Sequence, residues 1–179
     1  MERKKPGFKT AELAYIALGA AMITVCAWIT VPFTVPFTMQ IFAVFFSLIL
    51  LGGRNGTASV AVYLLLGAIG IPVFSGGKGG FSVLIGPTGG YLWGMLLIGA
   101  VYWIAARFFG KKLWIEIGAL LAGLALCYLF GTVWFSVLNP GRGFFGSLLV
   151  CVVPFLLPDA VKLALAVLLG RKLRKRIPA

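Results

Sequence analysis

Leu113-Trp-Ile-Glu-Ile-Gly-Ala-Leu-Leu-Ala-Gly-Leu-Ala-Leu-Cys-Tyr-Leu-Phe-Gly-Thr-Val-Trp-Phe-Ser-Val-Leu138 carries a single charged residue, Glu116, near its start. A bilayer core about 30 Å thick takes about 20 mostly apolar residues per helical crossing, so this stretch reads as one transmembrane helix. The rest of the chain shares its character: of 179 residues, 61% are hydrophobic and only 11% charged, with a mean hydropathy of +1.05. Backbone polar groups inside lipid must find partners within the structure, which helices provide for themselves. The expected class is an all-α integral membrane protein.

Working outward from that span, helices are expected at Ala11–Val31, Met39–Leu51, Thr57–Ile71, Thr88–Phe109 and Leu148–Leu169, six in all with Leu113–Leu138. They fill one membrane domain over residues 1–179, with a basic segment 1–10, a six-helix body 11–170 and a basic segment 171–179. The lysine-rich start precedes an apolar run but no cleavage motif with a polar mature region follows, so the run is read as the first span. Arg3, Lys4, Lys5, Lys9, Arg54, Arg107, Lys111, Lys112 and the basic run Arg171–Arg176 all fall on one side of six crossings, and only Lys78 and Arg142 on the other. Positive residues stay on the cytoplasmic side, so both termini are expected there, in a cell membrane. The net charge of +12 is mostly this asymmetry, which argues for contact with a lipid bilayer and against nucleic acid.

Within the last apolar segment, Phe155–Leu169, stand Asp159 and Lys162. An ionisable group at bilayer depth costs roughly 2.5–3.5 kcal/mol on insertion scales, so such a pair marks a ligand site. Their offset of three residues keeps both on one helix face, as an ion pair or as two separate ligand contacts. Pro158 suits a first helical turn, and a break after Pro154 would present a helix start at Asp159 to the cavity, where its positive end favours an anion.

Two connectors on the other face are rich in proline, glycine and phenylalanine: Val31-Pro-Phe-Thr-Val-Pro-Phe-Thr-Met-Gln40 and Gly76-Gly-Lys-Gly-Gly-Phe-Ser-Val-Leu-Ile-Gly-Pro-Thr-Gly-Gly-Tyr91. Proline stiffens the first and glycine lets the second approach a ligand closely, so together they read as extracytoplasmic loops folding over a cavity. Neither connector contains a GxxxxGK[ST] or GxGxxG sequence, which argues against ATP binding by this chain. Gly86, Gly90 and Gly94, spaced by four, read mainly as helix-packing positions. Cys26, Cys127 and Cys151 lack zinc or disulfide spacing and read as small core residues, so no metal is expected.

Val31–Gln40, Gly67-Ala-Ile-Gly-Ile-Pro-Val-Phe74, Gly86-Pro-Thr-Gly-Gly-Tyr91 and Pro154-Phe-Leu-Leu-Pro-Asp-Ala-Val-Lys162 together resemble the BioY family. That family comprises the biotin-binding S components of energy-coupling factor (ECF) transporters. The resemblance implies a subunit that captures biotin from outside. It also implies docking on a transmembrane coupling subunit driven by two cytoplasmic ATPases that consume the ATP, and a toppling motion that opens the site inward. Val35 in the proline-rich loop and Lys78 in the glycine-rich one depart from the family pattern.

Biotin carries a ureido ring with two N–H groups and a carbonyl, and a carboxylate at the end of an apolar chain. Asp159 can accept N–H groups and Lys162 can supply positive charge, with the orientation of the ligand left open. Tyr91 and Phe74 are expected to wall the apolar parts, Gln40 and Thr34 to bond the ureido carbonyl or close the lid, and Lys78 to assist the carboxylate from above. The alternatives for Tyr91 and Phe74 are an interfacial belt and a lipid anchor for the loop. The first span holds an AxxxA pair, Ala17 and Ala21, a flat face that the resemblance assigns to docking of the coupling subunit, with packing inside the monomer as the alternative. Two further classes compete: a proton-coupled carrier of a small organic anion using Asp159, and an S component for another vitamin. An intramembrane enzyme is disfavoured, since the chain has no histidine and just Glu2, Glu12, Glu116 and Asp159 as acids.

Overall fold

The computed structural model describes residues 10–32 and 36–176; the expectation for Thr34 lies outside the described residues. Helix α1 (Thr10–Trp28) leads into two-residue strands β1 (Thr30–Val31) and β2 (Phe37–Thr38), antiparallel with Thr30 opposite Thr38 and Val31 opposite Phe37. After them come α2 (Gln40–Ala68), a short α3 (Phe81–Ile85), α4 (Gly89–Phe108), α5 (Leu113–Leu138), α6 (Gly143–Cys151) and α7 (Val153–Arg174). Among the described residues five stretches are long and apolar enough to cross a membrane: α1, α2, α4, α5, and Pro140–Arg174, which contains α6 and α7.

The residues expected as the separate helices Met39–Leu51 and Thr57–Ile71 belong to one element, α2, with a break inside it. Gln40 Nε2 donates to Tyr63 Oη at 2.7 Å, although 23 residues separate them. A straight helix would hold them about 35 Å apart at 1.5 Å per residue. The helix therefore doubles back on itself. Its bend is Gly52, at φ 82° and ψ 166°, a region open essentially to glycine alone. Beyond the bend, a Cβ on Gly56 would come within 2.7 Å of Leu48 Cα, so the two legs lie against each other.

Small residues set how closely the helices approach. Gly94 of α4 faces Cys127 of α5, where a Cβ would meet Cys127 Sγ at 2.6 Å, and Gly123 of α5 faces Ile98 of α4 in return. Gly90 packs on Trp134, so the packing expectation describes Gly90 and Gly94. Gly86 precedes α4 and instead accepts a hydrogen bond from Trp134 Nε1 at 3.0 Å. Phe45, Leu48, Ile49, Tyr63, Ile98, Tyr102 and Leu120 fill the centre, while Leu18, Leu65, Leu129, Leu157 and Leu168 point outward. Helices apolar both inside and outside suit a lipid surround.

Three expectations need correction. The proline-rich connector is not loop alone but the small β1–β2 hairpin, and α3 forms inside the glycine-rich connector. The break near the end of the chain is at Val152 (φ −122°, ψ −52°), not after Pro154. Pro154 occupies the first turn of α7, where it has no backbone bond to lose, and Pro158 lies inside the helix. Asp159 is therefore in the second turn and is not a helix start. The helix also continues through Arg171 to Arg174 instead of ending at Leu169.

Candidate ligand-binding site

One end of the bundle encloses a cavity of about 310 Å³ between α2, α4, α5 and α7, roofed by β2, the loop before α3, and α3 itself. Helix α7 contributes Asp159 and Lys162, 2% and 4% exposed. Lys162 Nζ donates to Asp159 Oδ1 at 2.7 Å, and Tyr128 Oη from α5 donates to Asp159 Oδ2 at 2.5 Å. Each carboxylate oxygen thus has one donor and keeps a lone pair. The Lys162 ammonium also lies 4.1 Å from the ring centroid of Phe37, which stacks on Phe155 at 6.2 Å and 25°. A buried ammonium facing one carboxylate and one aromatic face retains N–H groups to give.

The walls are built from short-range order in several elements. Gln40, at the first position of α2, is buried, donating to Tyr63 and, at 3.4 Å, to Met95 Sδ. Tyr91, in the first turn of α4, shares a 3.0 Å hydrogen bond with Thr132 of α5. Phe74 is 1% exposed, edge-on to Tyr63 at 5.5 Å and pressed against Gly67, where a Cβ would collide with its ring. Both aromatic side chains are thus turned to the cavity and the interior of the bundle. Lys78 is exposed at the mouth, its carbonyl accepting the Phe74 N–H at 2.9 Å. The roof is tied down twice: Thr30 and Ser75 share a 3.0 Å hydroxyl contact, and Trp28 Nε1 donates to Pro72 O at 2.9 Å.

The structure brings Asp159, Lys162, Tyr91, Phe74, Gln40 and Lys78 around one cavity. It adds residues that the sequence reading missed: Tyr128, Phe37, Phe155 and Met95. A phenol in the middle of the apolar span Leu113–Leu138 was a readable signal, because a buried Tyr hydroxyl needs a partner. Phe37 and Phe155 had no such signal among so many aromatic residues. Cys127 and Cys151 are buried as expected but line the cavity, and no disulfide is formed among the described cysteines.

A sequence model of the BioY family matches residues 1–179. The chain belongs to the BioY family. It is 41% identical over 166 residues to the biotin transporter BioY of Thermotoga maritima, covering 92% of this chain and 96% of that one. With the biotin transporter BioY of Rhizobium etli it shares 33% identity over 174 residues, covering 90% and 92%. In structure it is similar to the crystal structure at 2.1 Å of the S-component for biotin from an ECF-type ABC transporter, with a TM-score of 0.84 and 27% identity over 94% of this chain and 95% of the other. As a member of the BioY family the chain is a transport subunit and not an enzyme.

Proposed function

We propose that this chain is the biotin-capturing S component of an ECF-type importer, and that the buried Asp159–Lys162 pair reads the ureido ring. The observation that carries the assignment of the pair is the acceptor and donor held 2.7 Å apart at one wall of the cavity. A ureido edge presents an N–H beside a carbonyl, so a carboxylate and an ammonium side by side can engage both at once. Charge-assisted hydrogen bonds of this kind contribute about 1.5–3 kcal/mol each. The carboxylate of the ligand then points to the mouth, where Lys78 stands. Phe74, Tyr91 and Phe155 enclose the apolar remainder. Thr34 is proposed to help close the site over the ligand. A cavity of about 310 Å³ is at the small end of ligand pockets, as suits a vitamin.

The two legs of α2 counted as two crossings, and α6 with α7 as one, make six crossings and put both termini on the same side. The basic residues support this: Arg54, Arg107 and Lys111 surround one hollow far from the ligand cavity, and Arg171 and Arg174 meet Glu116 near the same end. That end is assigned to the cytoplasm, and the cavity opens outward. Ala17 and Ala21 are exposed on α1 while Gly19 and Ala20 face inward, with Gly19 against Ser59. The outward alanines are the docking face for the coupling subunit, whose two ATPases consume ATP. Once docked, the S component topples and releases biotin inward.

Calorimetry on the detergent-purified chain tests the reading, wild type beside Asp159→Asn and Lys162→Ala, with thiamine and riboflavin as controls. Tight binding of biotin alone, weakened at least tenfold by each substitution, is expected from the charged hydrogen bonds removed. A folded wild-type sample that binds no biotin overturns it. For the docking face, Ala17→Trp with Ala21→Trp should abolish co-purification with the coupling subunit and spare biotin binding; an intact complex overturns that assignment.

A further inference from the structure

A second hollow, about 290 Å³, lies at the opposite end of the bundle from the ligand cavity. Three elements bring cations to it: Arg54 from the bend of α2, Arg107 from the last turn of α4, and Lys111 from the turn that follows. Glu12 of α1 is the one acid among the described lining residues. Lys111 is drawn in over the bend, where a methyl group on Gly52 would be 3.7 Å from its Nζ. Arg107 alone would be explained by the negative carboxy-terminal end of α4. That explanation does not reach Arg54 or Lys111, which converge on the same space from other elements; with Glu12 counted, the described lining residues carry a formal charge of +2. Asn55, in the same wall, leaves a buried Oδ1 without a hydrogen-bond donor among the described residues. Trp103 on the rim is 40% exposed, and Phe108 and Phe109 at the end of α4 are 74% and 70% exposed, aromatic groups of the kind that favour the level where a bilayer meets water.

We infer that this hollow binds a phosphate group, and that its source is the headgroup of an anionic glycerophospholipid. Phosphate neutralises the surplus cations, acyl chains lie along the exposed apolar flank of α4, and a headgroup hydroxyl supplies a donor for Asn55. Basic pockets at the ends of membrane helices recognise anionic headgroups by the same chemistry. The inference is independent of what the ligand cavity takes.

Native mass spectrometry of the full chain in detergent, titrated with phosphatidylglycerol and separately with phosphatidylcholine, reads the site. The wild type is expected to retain phosphatidylglycerol preferentially, and Arg107→Gln with Lys111→Gln to lower its retention by roughly tenfold or more, to the level of phosphatidylcholine. Arg107→Lys should keep most of it. Thermal unfolding in detergent establishes that each variant is folded; should the double variant fail there, Lys111→Gln alone, at an exposed side chain, carries the comparison. Unchanged retention in a folded variant overturns the site. Titration with inorganic phosphate and with glycerol phosphate separates the sources: saturable binding of either, without any lipid preference, overturns the lipid.

Discussion

Tyr128 is the residue that holds the Asp159 carboxylate in place from a second helix. Its hydroxyl takes one side of Asp159 Oδ2 at 2.5 Å, while Lys162 holds Oδ1, so the carboxylate cannot rotate away from an incoming N–H group. Tyr128→Phe removes that restraint and leaves a buried carboxylate short of one donor, at a cost of about 1–3 kcal/mol. Biotin affinity measured by calorimetry should fall about tenfold, with Asp159 still in place. Phe37 acts differently, as a cover for the Lys162 ammonium. Phe37→Leu forfeits a cation–π contact of roughly 0.5–2 kcal/mol and should show mainly as faster biotin release in a chase experiment, with a smaller change in association. Lys78→Ala, at the solvated mouth, should cost less affinity than Lys162→Ala; the reverse order would make Lys78, and not Lys162, the principal cation of the site. Of these residues only Asp159, Lys162 and Lys78 stood out in the sequence, because charge is conspicuous in apolar surroundings and one phenylalanine among 15 is not.

Helix α5 was legible to its ends, Leu113 and Leu138, because Lys111 and Lys112 bound it on one side and Asn139-Pro-Gly on the other. The run Leu51-Gly-Gly-Arg-Asn-Gly56 likewise announced a reversal, although not that it would be as tight as one residue with φ 82°. Gly52→Ala forces a side chain into that region at a cost of about 1–3 kcal/mol. The detergent unfolding temperature should fall, while the helical circular dichroism of the folded protein is unchanged. The break at Val152 was illegible for a physical reason. Residues 148–157 are apolar on every side, so no periodicity marks where one helix stops facing one neighbour and the next begins. Proline 154 drew attention to itself instead, since its effect on a helix depends on whether it lies in the first turn. The β1–β2 hairpin escaped because two-residue strands are shorter than any pattern of alternation can declare.

At the scale of the molecule, the two ends hold separate ionic centres. Glu116, 1% exposed, accepts from Arg171 and Arg174 at 2.6 Å each and from Tyr102 at 3.0 Å, and Arg174 also donates to Ile49 O at 3.1 Å. This cluster fastens the far end of α7 to α4, α5 and the first leg of α2. Glu116→Gln strips two arginines of their carboxylate and should cost toward the lower end of about 3–5 kcal/mol, since both arginines are partly solvated. Unfolding in detergent should occur at lower temperature, with biotin affinity in the surviving folded fraction close to that of the wild type. Affinity that falls in step with stability would mean that the ends are coupled. A connection of another kind does run the length of the bundle. Helix α1 carries the outward alanines near its middle, and one residue beyond its end the chain enters β1, while Trp28 holds the loop at Pro72. Over about 28 Å of helix, a tilt of 10° about its start displaces that end by about 5 Å. With the coupling subunit docked as proposed, a partner gripping Ala17 and Ala21 would work a handle whose other end is joined to both flaps over the chamber, and the same pull that holds the protein would unfasten its contents.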